Sequence, residues 1–210
     1  MKILALTAGA SGMYCGTCLR DNALAAELSR QGHDVILLPL YTPTRTDEAN
    51  VSHPRVFFNG ISIYLQQNWP FLRRLPPFVF RLLESGWLLR LATSRSVPVD
   101  PKLLGELTVA MLQGRDGALR QEFDKLTLWL STQQAPGIVD IPHTLLIALA
   151  RPLKELLGCP IVCTLQGEDF FLGGLIEPFR SQASPSSDRW ASSISVARLS
   201  ATPSRNSWPS

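Results

Sequence analysis

Residues 3–6 form an unbroken apolar run, followed by the small-residue stretch Gly9-Ala10-Ser11-Gly12. Residues 18–31 then carry apolar positions at helical spacing, Gly32 and His33 interrupt, and a second apolar run occupies residues 35–40. This pattern predicts strand, glycine loop, helix and strand, one βαβ unit within forty residues. A short strand apolar at every position reads as a buried parallel strand. Thr17 is a candidate cap for the helix, Leu24 and Leu28 a candidate inward face, and Gly32 stands where a helix C-terminus favours glycine.

The loop after the first strand is where doubly wound α/β proteins bind charged small molecules. Gly9 and Gly12 permit a sharp turn and the close approach of a ligand to backbone amides. They equally suit a bare strand-to-helix turn, and the loop by itself leaves both readings open.

Farther along, a polar loop over residues 41–54 leads to apolar residues 56–58 and 61–65, which read as strand around an Asn59-Gly60 turn. Residues 68–95 mix Trp69, Phe71, Phe78, Phe80 and Trp87 with Arg73, Arg74, Arg81 and Arg90, and Pro70, Pro76 and Pro77 break them into short helical pieces. One reading is a basic, aromatic lip that touches a lipid acceptor or a membrane surface. The preferred reading is an insertion folded over the sheet edge, its arginines snorkelling to water. Residues 100–130 read as helix, with Leu103, Leu104 and Leu107 as one stripe and Phe123, Leu126 and Leu130 as another. Residues 137–141 read as a short strand, 144–157 as a helix closed by Gly158, and 161–165 as a buried strand ending in Gln166-Gly167-Glu168-Asp169. The returning βα alternation predicts an α/β fold, a Rossmann-like parallel sheet with helices on both faces. From Ser184 the chain changes character: ten of the last 27 residues are serine and three are proline, without periodicity, which reads as an unstructured tail.

Composition narrows the class. With 210 residues, 45% hydrophobic and 18% charged, the chain is expected to pack a globular core. A net charge of +3, with its basic residues dispersed, does not argue for nucleic acid. No apolar stretch reaches the roughly 18 residues of a membrane span. Residues 3–19 imitate a signal peptide weakly, since glycines and Ser11 interrupt the apolar part, so the cytoplasm is the default location. Four cysteines, Cys15, Cys18, Cys159 and Cys163, are too few for a disulfide scaffold in a chain of this size.

Three segments together resemble the family 4-like glycosyltransferases of the GT-B fold: MKILALTAGASGMYCGTCLRDNALAAELSRQGHDVILLPLY, PGIVDIPHTLLIALARPLKELLGCPIVCTLQGEDF and FLGGLIEPFRSQA. The resemblance covers residues 1–183 and rests on the order and spacing of motifs that are each modest. It implies one Rossmann-like half of a two-domain enzyme that transfers a sugar from a nucleotide-sugar donor to a sugar or lipid-linked acceptor, at the inner face of the membrane where the acceptor is lipid-linked. The nucleotide sugar is then a substrate, and no permanently bound cofactor or metal is implied. Carried over by position, Gly9, Ser11 and Gly12 match the glycine loop beside donor phosphates and acceptor. His143 matches a cleft-facing histidine, here preceded by Pro142. Gln166, Gly167, Glu168 and Asp169 match the turn on the cleft floor, with Gln166 where histidine is common. Glutamine keeps the hydrogen bonding but does not titrate. The family places most donor contacts, and the paired glutamates of its retaining members, in a second domain. After Ala183 it continues with an amphipathic helix and a strand, whereas the serine-rich segment follows here. The expectation is a truncated or frameshifted product, residues 184–210 being out of frame, that transfers no sugar on its own.

Other constellations compete. Cys15-Gly16-Thr17-Cys18 is a CxxC at a predicted helix start, the setting of a thiol-disulfide redox pair. Joined to Cys159 and Cys163 it would give a four-thiolate zinc site, but those two cysteines lie at a buried strand, where cysteine acts as a small hydrophobe. A nicotinamide fingerprint fails twice: the glycines fall at 9, 12 and 16, and Leu40-Tyr41-Thr42 offers no acid at the second strand's end. His33 reads as a surface turn residue and His53 as a loop residue. Glu168 and Asp169, if extended, would point to opposite sides and make a poor acid/base pair, one of them free to cap the next segment.

Overall fold

The computed structural model describes residues 1–9, 14–58, 101–165 and 168–183. Four parallel strands form one sheet in the order β2-β1-β3-β4: β1 (Lys2–Thr7), β2 (Asp34–Pro39), β3 (Ile138–Ile141) and β4 (Ile161–Cys163). The fold is therefore α/β and Rossmann-like, with helices on both faces. In register, Leu4 lies opposite Ile36 and Val139, Ala5 opposite Asp140, and Ile141 opposite Cys163.

Side-chain alternation sorts the strands into two faces. Leu4, Leu6, Leu38, Leu40, Val139, Ile141, Ile161 and Cys163 enter the main core. Two helices after β2, α2 (Pro101–Gln113) and α3 (Arg120–Ser131), cover that face together with α4 (Ala150–Leu157). Phe58 stacks on Phe123 of α3 with ring centroids 5.3 Å apart, and both are fully buried. Ala5 and Leu37 face the other way, against Ala25 of α1 (Gly16–Arg30). Opposite faces are what right-handed crossovers demand, because β1 to β2 and β3 to β4 step across the sheet in opposite directions.

Several local expectations change. Cys15, not Thr17, is the N-cap of α1, and its side chain makes no capping bond; Thr17 lies in the first turn. The inward stripe of α1 is Cys18, Asp21, Asn22 and Ala25, while Leu24 is 42% exposed, because small side chains let the helix sit close to Ala5 and Leu37. Gly32 closes α1 at φ +88°: its N–H reaches Ser29 O, and that of His33 reaches Leu28 O, a Schellman pair. Residues 56–58 bend instead of forming a strand, since Phe57 and Phe58 both bury their rings. In place of the single helix expected over 100–130, the described residues from Pro101 form two helices, split by a 3-10 turn at Gly114–Asp116. Residues 144–157 open as a 3-10 helix, Thr144–Leu149, before α4, which ends in a left-handed Gly158 as expected. The predicted strand over 61–65, the segment 68–95 and the tail 184–210 lie outside the described residues. Among the described residues no helix is long and apolar enough to cross a membrane.

Candidate functional site at the switch point of the sheet

Because all four strands run the same way, the segments following them gather at one edge. From β1 the chain moves to β2 on one side, then returns to β3 on the other. The carboxyl ends of β1 and β3 therefore flank the topological switch point, where open α/β sheets form their binding crevice. Gly9 follows β1, and His143 follows β3 after Pro142. Glu168 opens α5 (Glu168–Gly173) behind β4.

Gly9 is fixed by backbone geometry. Its φ is +78°, and a Cβ there would run into the Thr42 carbonyl. The Tyr41 N–H donates to Ala8 O at 2.9 Å, which draws the segment after β2 onto this turn. Chain packing thus accounts for the glycine at position 9 without a ligand. Beside this turn, Tyr14 is 57% exposed and the Arg45 guanidinium lies 4.7 Å from its ring centroid, forming an aromatic and basic lip at the same edge.

Beneath the rim lies a charged cluster. Arg20 donates to Asp21 Oδ1 through Nη2 at 2.6 Å and through Nε at 3.1 Å; the Asp21 side chain is 3% exposed and that of Arg20 35%. Burial raises the Asp21 carboxyl above its ordinary range, against the pull of Thr7 and Arg20. Asp140 alternates away from the main core, on the face that α1 covers. Burial raises it as well, Arg20 opposing and Asp21 adding to the rise. His143 feels Arg20 as well. Burial holds its imidazole down to about 4, Arg20 acting in the same direction and Glu168 against it. His143 is therefore neutral at pH 7.

Thr7 Oγ1, Asp21 Oδ2 and His143 Nδ1 are buried and meet no hydrogen-bond partner among the described residues. Thr7 nevertheless lies near enough to Asp21 and Cys18 to ease their ionisation. Glu168 Oε1 accepts the Thr144 N–H at 3.0 Å, so this carboxylate caps the 3-10 helix after β3. The extended arrangement expected for Glu168 and Asp169 gives way to the start of α5, and the segment capped is the preceding one.

The switch point brings together Gly9, His143 and Glu168 of the sequence-predicted residues. Ser11, Gly12, Gln166 and Gly167 lie outside the described residues, and Asp169 occupies the second position of α5. Sequence reasoning missed Arg20, Asp21 and Asp140. Their signal was present: Cys18, Asp21, Asn22 and Ala25 repeat at one helical face, and Asp140 sits within an apolar strand.

The remaining candidates lie elsewhere or differ from expectation. Cys18 is fully buried, and burial pushes its thiol up to about 11, with the neighbouring Cys15 adding to the rise. Cys15, at the N-cap, is the more accessible thiol of the pair and Cys18 its buried partner. Cys159 and Cys163 pack in the main core, away from α1; burial pushes the Cys163 thiol up to about 12. His53 accepts the Arg55 N–H at Nδ1 and tilts against Trp129, centroids 5.5 Å apart. No group of three or more His, Cys, Asp or Glu among the described residues is arranged to hold a metal ion. No family model, curated protein or solved structure matches the chain.

Proposed function

We propose that the switch-point edge binds the hydroxyl groups of a sugar, and that residues 1–183 correspond to the amino-terminal domain of a glycosyltransferase similar to family 4. Its substrates would be a nucleotide-sugar donor and a sugar or lipid-linked acceptor. The observation that supports this reading is the strand order, which sets the chain at Gly9 and at His143 on the adjoining carboxyl ends of β1 and β3, with Arg20 near enough to His143 to act on its charge.

The chemistry of these groups suits carbohydrate. A neutral imidazole donates from one nitrogen and accepts at the other, which matches a sugar hydroxyl that does both. Asp21 Oδ2 and His143 Nδ1, buried beneath this edge, keep unused hydrogen-bonding capacity among the described residues. The exposed face of Tyr14 suits the apolar face of a sugar ring. The opening N–H groups of the 15-residue helix α1 point toward the same edge, and they favour an anionic group such as a diphosphate. With a pKa of about 4, His143 is a weak base at neutral pH, so its role is to orient hydroxyls and not to remove protons. In sugar transfer this domain would hold and align the acceptor, a contribution through proximity.

Isothermal titration of the full chain with uridine and guanosine diphosphate sugars, and with free mono- and disaccharides, tests the reading. At least one ligand should bind at pH 7, and His143→Ala and Arg20→Ala should each weaken it tenfold or more. Silence across the panel, or binding that survives both substitutions, would overturn it.

A further inference from the structure

The geometry points to a reversible disulfide between Cys15 and Cys18 that locks the first turn of α1, a redox switch built into the β1–α1 connection. Both cysteines are free thiols. Cys15 is the N-cap of α1, with extended backbone (φ −125°, ψ 123°), and is half-buried; Cys18 stands three residues on, in the first turn, fully buried. Three residues of helix rise about 4.5 Å, which leaves their Cα atoms within the range of about 4.4–6.8 Å that a disulfide spans. The Cys18 thiol lies close enough to the Cys15 thiol to interact with it electrostatically, with the Thr7 side chain and the Gly9 backbone nearby. The two other cysteines are buried in the main core, so this pair is set apart on α1.

The oxidant named here is a low-molecular-weight disulfide, oxidised glutathione. The Cys15 thiolate attacks one of its sulfurs; that S–S bond breaks, and one glutathione leaves as a thiolate that takes up a proton. Cys18 then gives its proton to solvent and attacks the Cys15 sulfur of the mixed disulfide. The intramolecular bond forms, and the second glutathione leaves and is protonated. Two protein thiols are oxidised, and one oxidised glutathione becomes two reduced ones.

The burial of Cys18 slows both closure and reopening. Rapid disulfide exchange needs a stabilised thiolate as attacker and leaving group. Burial keeps Cys18 protonated, so closure is slow, and the closed bond resists reduction. Closure also draws the Cys18 sulfur from Thr7 and Gly9 toward Cys15, which changes the rim of the crevice. This inference does not rest on sugar binding: a chain that closes the bond and binds no carbohydrate keeps it.

The test incubates the reduced full chain with oxidised glutathione at pH 8, quenches with an alkylating agent, and maps peptides by mass. The tryptic peptide of residues 3–20 should lose two hydrogens, with Cys159 and Cys163 still alkylated after denaturation, and dithiothreitol should reverse the loss. Cys18→Ser, or Cys18→Ala should serine not be accepted in that buried position, should trap glutathione on Cys15. A native chain that keeps glutathione on Cys15 without resolving it would overturn the switch. So would a native chain that stays reduced where the denatured chain closes the bond.

Discussion

His143 carries the clearest pH signature of any residue in the crevice. Its folded pKa of about 4 lies below the ordinary value of 6.5, so the unfolded chain binds this proton first as pH falls. Between pH 6.5 and 4 its contribution to stability is therefore progressively lost. Asp21 and Asp140, whose folded values are raised, act in the opposite sense, so total stability is a poor reporter. The useful comparison is with His143→Asn: thermal melts should show the native protein losing ground relative to the variant as pH drops through that window. Parallel curves would place His143 in a solvated setting.

Arg20 and Asp21 make a second residue-scale test. Removing Arg20 leaves the 3%-exposed Asp21 carboxylate without its ionic partner. By urea denaturation at pH 7, Arg20→Ala should cost about 1–3 kcal/mol, the range for stranding a buried polar group. In an Asp21→Asn background the cost should shrink toward that of an exposed substitution. Gly9→Ala should cost more than about 1 kcal/mol, because the new Cβ meets strained backbone and the Thr42 carbonyl together. Gly16 has open space and an ordinary φ, so Gly16→Ala should be neutral or slightly stabilising.

At the scale of elements, Glu168 joins two strand ends. Its carboxylate caps the turn after β3 from the start of the helix after β4. Glu168→Ala should cost about 1 kcal/mol, a typical cap value, and should speed hydrogen exchange at the Thr144 amide. The two faces of the sheet should also respond unequally. Leu126, fully buried on α3, should cost about 2–5 kcal/mol when cut to alanine, whereas exposed Leu24 should stay within about 0.5 kcal/mol. The βαβ opening, β3, α4 and β4 were legible from apolar runs and glycine punctuation, because buried parallel strands and left-handed helix ends constrain local sequence strongly. The inward face of α1 was not. A leucine pair four apart outranked a stripe containing Cys18, Asp21 and Asn22, whose polar members are buried only because Arg20 and the segment near Ala49 and Val51 answer them. Phe57 and Phe58 misled for a related reason: their burial is set by distant partners, Trp129 and Phe123, that local alternation does not register.

For the whole molecule, topology decides where chemistry can occur. The order β2-β1-β3-β4 places Gly9 and His143, more than 130 residues apart in sequence, on neighbouring strand ends. The parallel sheet was legible from the βα alternation, but the order of its strands, which makes these two ends neighbours, was not. Nor was the charge gathered there, since Arg20, Asp21 and Asp140 act as one group only after α1 is laid against β1 and β2, on the face to which Asp140 points. The central claim is that this edge recognises carbohydrate. Amide chemical-shift mapping, with a panel of nucleotide sugars and free saccharides added to the isotope-labelled full chain, tests it most directly. The account predicts shifts at Gly9, Arg20 and Thr144 that saturate with ligand. Shifts confined to the groove at the opposite end of the strands, lined by Lys2, Ile36 and Trp129, would contradict it, as would no shift with any member of the panel.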